Sequence, residues 1–142
     1  MSGLFANPRR AMPRVIWAGI AANMLFVIPL LFFPKPFFAL LGLELTDTIL
    51  ARACAMLLFI ISVFYIPAAW DLDRYRANAW FHCFPSRFCG ATYFSVAVLV
   101  FHYPLGYLSI AVVDAVFLVL VLILLLRVEA EERAHGVAET QR

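Results

Sequence analysis

Residues 77–126 read ANAWFHCFPSRFCGATYFSVAVLVFHYPLGYLSIAVVDAVFLVLVLILLL, two long apolar runs separated only by His102-Tyr103-Pro104. Each run is long enough for a helix to cross the roughly 30 Å of bilayer hydrocarbon at about 1.5 Å per residue. The turn between them is so short that the two must form an antiparallel hairpin. Arg87 is the only charge in the first run and Asp114 the only one in the second. Arg87 lies about ten residues into its run and Asp114 about nine into the next, so at about 1.5 Å per residue both sit near mid-depth. The two side chains can reach each other. Pairing is the most economical way to neutralise charges that each cost about 2.5–3.5 kcal/mol at the centre of a membrane helix.

Outward from this hairpin, residues 15–33 carry no charge and residues 48–70 carry only Arg52, near their start. Four spans are therefore expected, at about 15–33, 48–70, 77–101 and 105–126, each apolar on all sides as a lipid-bathed helix should be. The fold class is all-α, an integral membrane four-helix bundle in one domain over residues 1–142. Composition agrees: the 142-residue chain is 65% hydrophobic and 14% charged, whereas soluble domains average about 45–50% and about 25%. A formal net charge of +2 supplies no basic surface for phosphates, so nucleic-acid binding is excluded together with a disordered regulator.

The joints are punctuated. Pro34-Lys35-Pro36 ends the first span, and residues 37–43 are apolar but too short to cross, which suggests an interfacial helix or turn before Thr46 or Asp47 caps the second span. Asp71, Asp73, Arg74 and Arg76 mark a loop expected to be a solvated turn, with an exposed Asp71–Arg74 or Asp73–Arg76 contact at most. Residues 127–142 should form a polar cytoplasmic tail. Arg9, Arg10, Arg14, Arg74, Arg76, Arg127, Arg133 and Arg142 fall on one side and Lys35 alone on the other, so both termini are expected to be cytoplasmic. The first span is read as a retained anchor, because its apolar run exceeds that of a signal peptide.

Polar residues inside spans are the candidate functional positions. Arg87 and Asp114 lead, Asn23 sits at a similar depth in the first span, and Arg52 is near enough to the interface to snorkel. His82 and Ser86 flank Pro85, whose kink would open space and free a carbonyl beside Arg87. Two readings of this layer stand open: interhelical glue, or the lining of a cavity for a quinone, lipid head group, proton or small solute. Spacing argues against a metal. His82 and His102 are about 30 Å apart along one helix, and Cys54, Cys83 and Cys89 show no close pairing, so the cysteines are read as buried packing residues and His82 as a hydrogen-bonded structural histidine. No disulfide framework is visible. Gly19, Gly90 and Gly106 offer small faces for helix contact, while Trp17, Trp70, Trp80, Tyr103 and Tyr107 fall near span ends as an aromatic belt.

Asn23 in span one, FPKPFFALLGL after it, Arg52, YIPAAWDLDRYR at the end of span two, Arg87 and Asp114 together resemble the small bacterial four-span proteins grouped as DoxX-like. The resemblance covers most of residues 11–127. It implies a cell inner membrane location and a quinone-adjacent or respiratory-accessory role, as in the membrane subunit of a thiosulfate:quinone oxidoreductase. The expectation is a non-enzymatic accessory subunit or lipid/quinone-binding module with no resident cofactor. The alternatives are a small oligomeric transporter or exporter and a membrane component of a quinone-linked oxidoreductase. Its surroundings would be the lipid bilayer, with a larger membrane or redox complex or a homo-oligomer as partner.

Overall fold

The computed structural model describes residues 7–140, with side chains through Ala134, and every regular element among them is helical. Helix α1 spans Pro8–Phe32. Asn7 begins it by accepting a hydrogen bond from the Arg10 N–H at 3.3 Å, and Pro8 takes the first helical position, where its missing N–H costs nothing. It ends where Pro34 begins the seven-residue α2, Pro34–Leu40. Gly42, at φ 67°, then turns the chain. Of the two expected caps, Asp47 starts α3, Thr48–Trp70, by accepting the Ile49 N–H at 2.7 Å.

The expected third span departs from a single helix. In place of a continuous run over residues 77–101 there is α4, Arg76–Phe81, a wide turn at His82–Arg87, and α5, Phe88–Leu99. Phe84 is fully extended at φ −136°, ψ 123°. Pro85 makes the break possible: it has no N–H to give, its ring displaces the preceding turn, and the residue before a proline is driven out of the helical region. A kink expected from Pro85 is thus a complete break. After a single tight turn at Leu105–Tyr107, α6 runs Leu108–Thr140, so the polar segment beyond Arg127 continues the last helix. Gln141 and Arg142 lie outside the described residues. Among the described residues three helices are long and apolar enough to cross a membrane: α1, α3 and the last, over Leu105–Ala134.

Helix α1 lies between α3 and α6, and α5 lies along α6. Its buried stripe Met12, Ile16, Ile20, Asn23 and Val27 recurs every three or four residues, the period of one helical face. Against it α3 presents small residues, Ala51, Ala55, Ser62 and Ala69, which let two backbones approach where no hydrophobic drive brings helices together. The tightest packing, around Met12, Ile16, Tyr65, Val121, Leu124 and Leu125, joins the first half of α1 to the second half of α3 and the middle of α6. At the opposite end Gly106 lies so close to the Leu41 carbonyl oxygen that a Cβ there would overlap it. Between α3 and α5 the bundle stays parted, and the cavities described below lie in that gap.

The start of α1, the α3–α4 loop and the end of the apolar part of α6 meet at one end. Arg9 pairs with Asp73 at 3.0 Å and with Glu132 at 2.5 Å, Arg76 pairs with Glu132 at 2.6 Å and with Asp73 at 3.3 Å, and the Trp80 indole donates to Glu129 at 3.2 Å. The loop is solvent-exposed as expected, and the expected Asp73–Arg76 contact is present, but that contact is also one edge of a four-residue network that ties three chain segments together. The hydrogen bond to Arg76 holds the Glu132 carboxyl below the usual range, and Glu132 holds Arg76 above its ordinary value. Because the folded-state value of Glu132 is depressed, its contribution to stability is fully present above the ordinary glutamate pKa of about 4.3 and is lost as pH falls through the folded value. The stability gap between wild type and Glu132→Gln should accordingly close on acidification below about pH 4. Denaturation midpoints of the two proteins, followed from pH 7 to 3, measure it; a gap that stays constant would show that the network contributes no charge-dependent stability.

Candidate functional site

The break in the third apolar run places Arg87 at the end of the wide turn, where it reaches inward. Its side chain is 3% exposed; Nη1 donates to Asp114 Oδ1 at 2.5 Å and Nη2 to the Gly19 carbonyl at 3.2 Å. The guanidinium also lies over the Phe117 ring, 5.3 Å from its centroid, a cation–π contact that partly replaces lost hydration. Asp114, on α6, is 16% exposed. Its second oxygen rests against Gly90 in the first turn of α5, where a Cβ would overlap it. The Arg87–Asp114 contact anticipated from depth alone is thus present, held between α1, α5 and α6.

The other expected members divide. Asn23 is buried and donates to Ser62 Oγ at 2.8 Å, while Ser62 donates to the Leu58 carbonyl at 2.7 Å. It joins Arg87 and Asp114 around one cavity, with Ser62 as its immediate partner. Ser62 was not singled out by the sequence reading; it is the one polar side chain in the middle of residues 48–70, but an isolated serine in an apolar helix can satisfy itself on its own backbone and so carries little signal. Arg52 stays apart. It is exposed, donates from Nε to the Leu31 carbonyl at 3.2 Å near the end of α1, and does not line the cavity.

Ser86 hydrogen-bonds the Tyr65 hydroxyl, linking the wide turn to α3. His82 is fully buried with its ring 4.2 Å from that of Tyr65 and its Nε2 against Gly19. Contrary to the hydrogen-bonded histidine expected, neither ring nitrogen has a partner among the described residues. Packing against Tyr65 and α1 seals the ring away from acceptors. The cysteines also differ from expectation: Cys83 is buried, but Cys54 and Cys89 are exposed, Cys54 at the central cavity and Cys89 at the groove beside it. Among the described residues no group of three His, Cys, Asp or Glu side chains converges.

The central cavity holds about 310 Å³ between α1, α3, α5 and α6. Asn23, Arg87 and Asp114 form its polar wall, and Phe26, Leu58, Ile61 and Phe94 are among its apolar lining. Ile61 is shared with a groove of about 540 Å³ between α3 and the α4–α5 segment, lined by Phe64, Tyr65, Phe81, Pro85 and Ser86 among others. Phe26 and Phe94 are shared with a third space of about 440 Å³ that reaches Glu44 and Asp47 at the other end. A polar spot at mid-bundle therefore adjoins apolar space between α3 and the α4–α5 segment. What this offers chemically is hydrogen-bond donation, a fixed pair of opposite charges and a carboxylate able to take one proton. Comparisons with protein-family models, with curated proteins and with solved structures give no match to this chain.

Proposed function

We propose that the chain is a four-span, non-enzymatic module of the cell inner membrane that binds an amphipathic, membrane-soluble molecule, with the polar head at Arg87, Asp114 and Asn23 and the apolar tail between α3 and α5. The observation that carries this reading is the 310 Å³ cavity whose only charged lining among the described residues is Arg87 and Asp114 and which shares Ile61 with an apolar groove. Ligand pockets of this kind, mostly apolar with a few convergent polar groups, are where small molecules bind. In this reading α4, the wide turn and α5 together make the third crossing. A broken helix is tolerated at membrane depth where it lines a cavity or packs against protein. The one-sided distribution of basic residues supports cytoplasmic termini.

A lipid or a quinone satisfies the description, and the similarity of layout to DoxX-like proteins favours an accessory role beside a quinone-linked enzyme. Titration of the purified protein in maltoside micelles with ten-carbon amphiphiles, a decyl benzoquinone and a decyl oxyanion, tests the reading. One site per chain is expected for at least one probe. Ile61→Trp, which fills the junction of cavity and groove, should weaken it by about tenfold or more, equivalent to about 1.4 kcal/mol. Unchanged affinity in a variant that still elutes as a folded species would place the ligand elsewhere and defeat the proposal. The discontinuous third span also supports a second reading, an oligomeric transporter or exporter, because transporters build midplane sites from interrupted helices. Solute flux in liposomes containing the protein alone would favour that alternative.

A further inference from the structure

Arg87 brings more hydrogen-bonding capacity to the cavity than its surroundings use. A guanidinium carries five N–H donors, yet Asp114 takes a single Nη1 contact, Gly19 takes one from Nη2, and Nε has no partner among the described residues. Asp114 thus engages the fork through one oxygen, leaving its other against Gly90, whereas the geometry a guanidinium favours for an oxyanion is two parallel contacts. The protein's own carboxylate occupies part of an oxyanion site without filling it.

Charge decides what happens when a second oxyanion arrives. Among the described residues Arg87 and Asp114 are the only charged ones lining this cavity, and they cancel. Adding an anionic head group would leave one net negative charge in apolar surroundings, where an unpaired charge is far more costly than in water. One proton on Asp114 removes that charge, releases the guanidinium to the incoming group, and turns the carboxyl into a donor for it. Resting on the amphiphile-binding reading, we infer that the site takes an amphiphile with an oxyanion head, a carboxylate, phosphate or sulfonate, and that each binding event is accompanied by uptake of one proton from solvent onto Asp114. Proton-linked exchange of Asp114 for the ligand's own oxyanion makes the Arg87 site responsive to pH.

The titratable groups facing Asp114 are few. The wide turn brings Arg87 and His82 with Cys83 beside them, α3 brings Tyr65 and Cys54, and α5 brings Cys89 at its start, while α1 contributes Asn23 and Gly19, which do not titrate. Of these His82 is the one other group whose ordinary pKa lies near neutrality, so the test must separate it from Asp114.

Decanesulfonate is the probe, since its head group stays ionised throughout the pH range used. Calorimetric titration in two buffers of different ionisation enthalpy should count close to one proton taken up per sulfonate bound. Affinity should rise with falling pH, by a factor approaching ten per unit where the free site is ionised and the complex protonated. Asp114→Asn should bind with no proton uptake and no pH dependence, and His82→Gln should keep the uptake. Binding without proton uptake in the wild type overturns the inference, as does loss of uptake in His82→Gln, and the wild-type count stands even if Asp114→Asn fails to fold. A decyl benzoquinone that binds where decanesulfonate does not overturns this inference and leaves the amphiphile-binding reading intact; failure of both probes sinks both.

Discussion

Replacing Arg87 with methionine should cost about 3–5 kcal/mol of stability, the range seen when one partner of a buried ion pair is removed and the other is left uncompensated. Asp114 would remain on α6 without a counter-charge, against Gly90 and facing a cavity whose other polar wall residue is Asn23. The Gly19 carbonyl would also lose its donor, which loosens the α1 contact. The informative comparison is the double variant Arg87→Met/Asp114→Leu. Removing both charges removes the desolvation penalty as well, and buried pairs replaced by apolar residues of similar volume are often neutral or better. Stability measured by denaturant titration in mixed micelles should therefore fall sharply in the single variant and recover most of the loss in the double. A double variant as unstable as the single would mean that the pair is not what makes Arg87 necessary. Recovery of stability with loss of amphiphile binding would separate the structural role of the pair from the ligand-binding one.

The second large effect is expected at Gly90. In an exposed helix, alanine is favoured over glycine by roughly 0.5–1 kcal/mol, so on propensity alone Gly90→Ala would stabilise α5. Here the added Cβ would overlap Asp114 Oδ2, with the carboxyl carbon close behind it. Turning the Asp114 carboxylate away moves Oδ1 off Arg87, so relief comes at the cost of that contact or of a shift between the helices. Overpacking of this sort costs about 1–3 kcal/mol, and the expected sign is reversed from that of propensity. The same substitution made in an Asp114→Ala background should cost little or become favourable, giving a coupling energy well outside the range for independent sites. Additive effects of Gly90→Ala and Asp114→Ala would show that the two groups do not press on each other.

Much of the site was legible because membrane depth is one-dimensional. A helix advances by a fixed rise, so counting from the ends of residues 77–101 and 105–126 is enough to bring Arg87 and Asp114 to one level, and the short turn at His102 brings them to one side. Asn23 was found by the same count. Lateral relations were not countable in that way. Nothing in the spacing says that Asn23 meets Ser62 rather than Arg87, that Arg52 turns to the Leu31 carbonyl, or that His82 is sealed against Tyr65, because each depends on which faces of α1, α3 and the wide turn are brought together. The network of Arg9, Asp73, Arg76 and Glu132 was missed for the same reason: its members are up to 123 positions apart, and local spacing shows only the Asp73–Arg76 contact.

Composition and the run lengths by themselves determined that the protein is helical and that at least α1, α3 and α6 are long and apolar enough to cross a membrane, since hydrocarbon leaves the backbone no other partners than its own. They also determined that any polar residue within those runs must find a partner in the protein. Only the tertiary structure decided how the third apolar run is spent. A proline inside a hydrophobic stretch is compatible with a bend or with a break, and the outcome depends on whether neighbouring groups satisfy the freed backbone and fill the widened turn. Here Ser86 joins Tyr65, Arg87 reaches Asp114 and the Gly19 carbonyl, and the run parts into α4 and α5. That parting sets the guanidinium beside a cavity, a consequence of packing in three dimensions that no count along the chain contains.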